Sequence, residues 1–352
     1  MTKEKVRIGF VGVGSMGQCA HLKNYASLDG CRVVALAELR SDLARRVARR
    51  YGVPSVYETH GEMLEAEDLD GIVASQPYNR HGVLVPELAE AGVPLFTEKP
   101  IAGSVQVGER VVRTVEEAGV THMVGYHKLS DPATVRALEE IEHLKKSGEL
   151  GELQYVRILM PAGDWVASGF NDLIHTDEDI PELQTDPPDP DMDGETYAAY
   201  DAFVNYYIHQ VNLMRHLLGE SYRVTYAEPS GVLLTVRSES GLAGAIEMSP
   251  YRTTRAWQES ALVAFERGWI RLELPAPLAS NRPGRVEIYH DAGEHVEPTL
   301  TRPQLPWEHA MHRQARNFIA VIRGEADPPA DAAEALEDLR VAQDYILMRR
   351  DG

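Results

Sequence analysis

Cysteine is nearly absent from this chain of 352 residues: Cys19 and Cys31 are its whole complement. Two thiols form neither a disulfide framework nor a metal-ligand spacing, so no stapled secreted module and no metal site are expected. Positive charge is also scarce. Lys and Arg number 35 against 54 Asp and Glu, a formal net charge of −19. No basic stripe is present to displace counterions from a phosphate backbone, which argues against nucleic acid as a partner. Long apolar runs are missing as well. No stretch approaches the roughly 20 residues that a membrane-spanning helix needs, and Lys3-Glu4-Lys5 leads directly into an apolar segment, without the pattern of a secretory leader. The expectation is a cytoplasmic protein with no membrane partner.

What is present is an alternation. Apolar runs at 6–11, 32–37, 71–75, 93–97 and 121–125 are separated by amphipathic stretches near 15–28, 41–51, 81–91 and 104–118. Short buried strands alternating with helices predict an α/β fold with a doubly wound parallel sheet. After residue 126 the rhythm changes. A helix near 131–147 precedes strand-like runs at 153–160, 223–227, 231–237, 242–248, 260–266, 268–274 and 285–290, and helices follow near 307–323 and 331–349. Short turns between those runs predict a large antiparallel sheet. The expected division is a nucleotide-binding domain over 1–125 and a second domain over 126–352.

The first strand runs into Gly12-Val13-Gly14-Ser15-Met16-Gly17, a G-x-G-x-x-G turn opening a helix. The next strand ends in Glu38, 21 residues past the last glycine. In a dinucleotide-binding unit the glycines permit the tight turn, close approach of the pyrophosphate and close helix packing, while the acid accepts from the adenosine ribose hydroxyls. NAD is the expected cofactor, with Arg40, a potential 2′-phosphate partner, keeping NADP open. Phe96-Thr97-Glu98-Lys99-Pro100 closes the fifth strand. Ligands of doubly wound sheets bind beyond the carboxyl ends of the strands, so the Lys99 ammonium is placed to stabilise an alkoxide formed as hydride leaves.

A second constellation is Asp201, Asn205, His209, Asn212 and His216, a polar stripe at helical spacing among Phe203, Val204, Tyr206, Tyr207, Ile208, Val211, Leu213 and Met214. His209 is either a general base or a buried structural histidine. Between Ile158 and Met214 there is no Lys or Arg, and the segment from Asp172 to Glu195 is acidic and proline-rich around Pro187-Pro188. Such a stretch is a lid, an interface arm or a solvated loop.

Gly12–Gly17, Gln76-Pro77-Tyr78-Asn79-Arg80-His81, Glu98-Lys99-Pro100 and Asn205…His209…Asn212 together resemble the Gfo/Idh/MocA family, that of glucose–fructose oxidoreductase and inositol dehydrogenase. The resemblance runs over nearly the whole chain, through Gly148-Glu149-Leu150-Gly151. It implies a Rossmann domain followed by an α/β domain with a large open antiparallel sheet, and a homodimer or homotetramer. It also implies NAD(P)-dependent oxidation or reduction of a small sugar or cyclitol, and the uncompensated acidic charge of 172–195 adds a cationic amino sugar as a candidate. By this resemblance Lys99 polarises the reacting oxygen and His209 is the general acid/base, with Asn205 and Asn212 where relatives often carry aspartate. Ser15, Met16, Gln76, Asn79, His81, Glu98 and Lys128 join the glycines and Glu38 as cofactor contacts. Trp165, Lys99, Asn205, His209 and Asn212 are candidate substrate contacts. Two rivals stay open: a catalytically weak NAD(P)-binding sensor of the same fold, and a reductase of a non-sugar carbonyl or imine.

Overall fold

The computed structural model describes residues 4–249, 251–291 and 293–352; Lys3, in the segment read for a leader, lies outside them. The chain forms two compact units, each discontinuous in sequence. Unit 1 comprises Met1–Tyr126, Ser168–Asp193 and Met311–Leu339, and unit 2 comprises His127–Ala167, Gly194–Ala310 and Arg340–Gly352. Residues 168–193 and 311–339, expected in the second domain, therefore cluster with the first. The reason is packing: Phe318, Ile319 and Val321 are buried in the unit 1 core beside Phe10, Tyr25 and Phe96, and Ile174 packs against it.

Unit 1 contains six parallel strands: β1 (Val6–Val11), β2 (Cys31–Ala37), β3 (Ser55–Tyr57), β4 (Gly71–Ala74), β5 (Leu95–Thr97) and β6 (His122–Val124). Their order is β3-β2-β1-β4-β5-β6, so the winding reverses between β1 and β4. β1, β4, β5 and β6 are buried along almost their whole length, as a sheet covered on both faces requires. A π-helical segment, Gly17–Leu22, continues into α1 (Lys23–Ser27) where one helix was expected. α2 (Ser41–Tyr51), α4 (His81–Ala89) and α5 (Val105–Glu117) match expected helices, while β3 and α3 (His60–Ala66) were not anticipated. β3 is too short to show a period, but Thr59 and Glu62 form a capping box at α3 that is legible in sequence.

Unit 2 is built on an eight-stranded sheet. Its strands are β7 (Leu153–Leu159), β8 (Tyr222–Ala227), β9 (Leu233–Ser238), β10 (Ala243–Glu247), β11 (Ser260–Phe265), β12 (Gly268–Glu273), β13 (Arg285–His290) and β14 (Thr299–Thr301). The order is β14-β13-β12-β11-β7-β10-β9-β8. One pairing departs from the expected antiparallel sheet: β7 and β10 run parallel, which makes the sheet mixed. A parallel neighbour needs a crossover rather than a hairpin, and the long connection through α7 (Gly194–Leu218), which follows α6 (Pro132–Ser147) and β7, supplies it. α8 (Ala310–Ile322) and α9 (Ala332–Asp351) close the chain.

Candidate active site

Because the unit 1 strands are parallel, the residues that follow β1, β2, β4 and β5 share one edge of the sheet. Gly12 there has φ +87°, and a side chain on it would collide with Gln76, while one on Gly17 would collide with the Gly12 carbonyl. Gly14 differs: the nearest atom to a Cβ placed there is Arg40 Nη2 at 3.8 Å. Two glycines of the turn are thus required by the protein's own packing, and the middle one leaves open space of the kind a pyrophosphate needs. At the end of β2, Glu38 is 8% exposed. Its Oε2 accepts from Val13 N (3.0 Å) and Arg40 Nη2 (3.0 Å), and its Oε1 from Arg40 N (3.2 Å) and Nε (2.8 Å). Burial alone would raise this carboxyl, but the Arg40 and Val13 bonds outweigh it and hold it below the usual carboxylate range.

Lys99 follows β5 and is partly buried, with a cis bond to Pro100. Its amide donates to Glu98 Oε2 at 3.1 Å, and Glu98 Oε1 lies 2.6 Å from His21 Nε2. Glu98 therefore ties the end of β5 to the first helix, a role the sequence did not suggest, and His21 is the partner that spacing could not reveal. His81, expected at the cofactor, is 0% exposed, with Nδ1 3.0 Å from the Ile101 carbonyl. Burial lowers it to about 4. It is a fully buried, neutral histidine. Gln76 Oε1 accepts from Arg80 Nη1 (3.2 Å), and the Asn79 carbonyl accepts from Asp186 N (2.6 Å). Ser15 is exposed and Met16 partly so.

The acidic stretch is irregular and mostly exposed, and residues 168–193 form a strap across unit 1. Ile174 exchanges two bonds with Gln18: its N donates to Oε1 (3.0 Å) and its carbonyl accepts from Nε2 (3.1 Å). Arg46, Arg50 and Arg80 donate to the carbonyls of His175, Asp172 and Gln184. Asp186 Oδ2 accepts from Gly82 N at 2.9 Å in the first turn of α4, and Glu178 accepts from the first turn of α2. Glu178 and Asp186 act as helix caps supplied from a distance, where negative charge is favourable.

In unit 2 the predicted polar stripe lies on α7. Asn212 is 1% and His209 8% exposed, whereas Asn205 is exposed and Asp201 and His216 are partly so. The His209 ring packs edge-on against His127 with centroids 4.4 Å apart. Next to it, Gln210 Nε2 donates to Glu259 Oε1 at 2.7 Å, and Glu259 Oε2 is bonded by Lys128 Nζ. The Lys128 and Glu259 side chains are 4% and 1% exposed, and Nζ lies 5.5 Å from the Trp257 ring centroid. Lys128, expected at the cofactor, is the cation of a buried network here, because a buried ammonium requires a counter-charge. Trp165 lies on the segment after β7, its carbonyl accepting from Leu278 N at 3.3 Å. The neighbouring Gly163 N donates to Tyr206 Oη on α7 at 3.1 Å.

A doubly wound sheet, a glycine turn with an open middle position and a buried acid after β2 define unit 1 as a dinucleotide-binding Rossmann domain. Residues 6–126 match the model of the oxidoreductase family with an NAD-binding Rossmann fold. Over those residues the chain is similar to the Gfo/Idh/MocA family of oxidoreductases, and beyond them it resembles inositol dehydrogenases and a MocA protein. It is 23% identical over 242 residues to myo-inositol 2-dehydrogenase of Thermotoga maritima, covering 69% of this chain and 63% of that enzyme. It is 24% identical over 370 residues to D-apiose dehydrogenase of Paraburkholderia graminis, covering 100% of this chain and 89% of that one. An oxidoreductase from Agrobacterium radiobacter in complex with NAD+, L-tartaric acid and magnesium superposes with TM-score 0.71 at 17% identity, covering 99% of this chain and 97% of the other.

Proposed function

We propose that the protein is an NAD-dependent dehydrogenase acting on a secondary hydroxyl of a sugar, glycoside or cyclitol. The observation that carries this is the shared sheet edge: the Gly12–Gly17 turn, Glu38 and Lys99 follow three parallel strands of one sheet. Relatives named as inositol and apiose dehydrogenases support the substrate class. Nicotinamide, when bound, supplies the hydride chemistry. Glu38 orients the adenosine ribose. Lys99 donates a charged hydrogen bond to the substrate oxygen and stabilises it as negative charge develops. His209 accepts the hydroxyl proton, and Asn205 and Asn212, which both donate and accept, orient hydroxyls rather than supply charge. Glu178 and Asp186 are occupied by helix amides, so these two acids give little support to a cationic ligand.

A panel of sugars, cyclitols and amino sugars with NAD, followed by absorbance of the reduced cofactor, tests this. Turnover of at least one neutral polyol is expected. Lys99→Ala should lower kcat by about 10²–10³ while NAD affinity changes less than about tenfold. NAD binding with no turnover across the panel would favour the sensor, and full activity in the variant would remove Lys99 from the chemistry.

A further inference from the structure

Helix α2 begins three residues after Glu38, and its N-cap is Arg40, whose side chain makes no capping bond. Good N-caps accept hydrogen bonds from the second and third helical amides; a guanidinium has no acceptor. Those amides belong to Asp42 and Leu43. They donate instead to Oε1 and Oε2 of Glu178, at 2.8 and 2.9 Å, across more than a third of the chain. Thr176 Oγ1 donates to the same carboxylate at 3.0 Å. The two amide bonds hold the Glu178 carboxyl below its ordinary range, so it is ionised at neutral pH. Gln18, Arg46 and Arg50 fix the strap just before it, at Ile174, His175 and Asp172.

The two nicotinamide dinucleotides differ at this end of the sheet. A ribose 2′-phosphate carries close to two negative charges, and it is held by a nearby arginine and by helix N-terminal amides. Here each of those partners is already taken. The Arg40 guanidinium is bound by both oxygens of Glu38, and the α2 amides are bound by Glu178. Ribose hydroxyls need neither, because they donate to Glu38 and need displace only the Arg40 side chain. Resting on the NAD reading above, we infer that Glu178 is a cofactor-specificity residue: its carboxylate fills the amides a 2′-phosphate would use and adds a second negative charge close to Glu38, so the strap takes part in selecting NAD over NADP.

Dissociation constants for NADH and NADPH, measured on the full chain by nicotinamide fluorescence, test this in wild type, Glu178→Ala, Glu178→Gln and Gln18→Ala. Wild type should bind NADH more tightly. Glu178→Ala should tighten NADPH by about tenfold, the scale of a charge acting at a helix N-terminus, with NADH changed less than about threefold. Glu178→Gln should shift the ratio in the same direction by less. Gln18→Ala loosens the strap but keeps the charge, and should leave the NADPH:NADH ratio as in wild type. A wild type that prefers NADPH would overturn the NAD reading itself. A preference for NADH that Glu178→Ala leaves unrelaxed, or that Gln18→Ala relaxes equally, would overturn the assignment of Glu178 alone.

Discussion

Lys128 decides between two accounts of unit 2, because it was expected to touch the cofactor and instead lies paired with Glu259 at 4% and 1% side-chain exposure. Removing one member of a buried pair leaves the other charge without compensation, at a cost of about 3–5 kcal/mol, whereas replacing both is close to neutral. Lys128→Met and Glu259→Gln should each destabilise by that amount, or about 6–20 °C in Tm at roughly 2–4 °C per kcal/mol. The double variant should recover to within about 1–2 kcal/mol of wild type, since Gln at 259 still accepts from Gln210. Urea unfolding followed by tryptophan fluorescence suits the measurement, with Trp257 beside the ammonium as a local reporter. Additive losses in the double variant, or single losses under about 1 kcal/mol, would refute the buried-network account. If Lys128→Met instead leaves stability intact and weakens NAD binding, Lys128 belongs to the cofactor as first expected.

His209→Ala should lower the rate by about 10²–10⁴; a rate near that of wild type would place the base elsewhere. Acid should destabilise the fold through His81 and His122, which burial lowers to about 4 and about 3. Each folded value lies below the unfolded one of 6.5, so the stability they contribute is complete above that pH and is lost as pH falls toward 4 and 3. At pH 5 the loss is about 2 kcal/mol for each. Asp131, raised by burial to about 6, has the opposite sign and offsets about 1 kcal/mol of it. His122→Gln should flatten the profile of Tm between pH 7 and 5 by about two-thirds; an unchanged slope would show that these histidines are not its source.

Local chemistry wrote much of this protein into its sequence. Apolar runs and glycine ends marked β1, β2 and β4–β6, the 3.6-residue period marked α7, and the spacing from Gly17 to Glu38 marked the nucleotide-binding unit, because each depends on neighbours within about 30 residues. What the sequence could not set was who partners whom at long range. The parallel pairing of β7 with β10 depends on a crossover, not on either strand's composition. The acidic strap read as a lid, an interface arm or a solvated loop, and no local pattern could show that Glu178 and Asp186 sit on the amides of α2 and α4, more than 100 residues away. The family resemblance drew His81 and Lys128 to the cofactor, but it could not show that one is fully buried and neutral and the other paired with Glu259. A side chain's type fixes what it can bond, but only the fold sets its partner and its exposure to water, and those two decide its charge and its role.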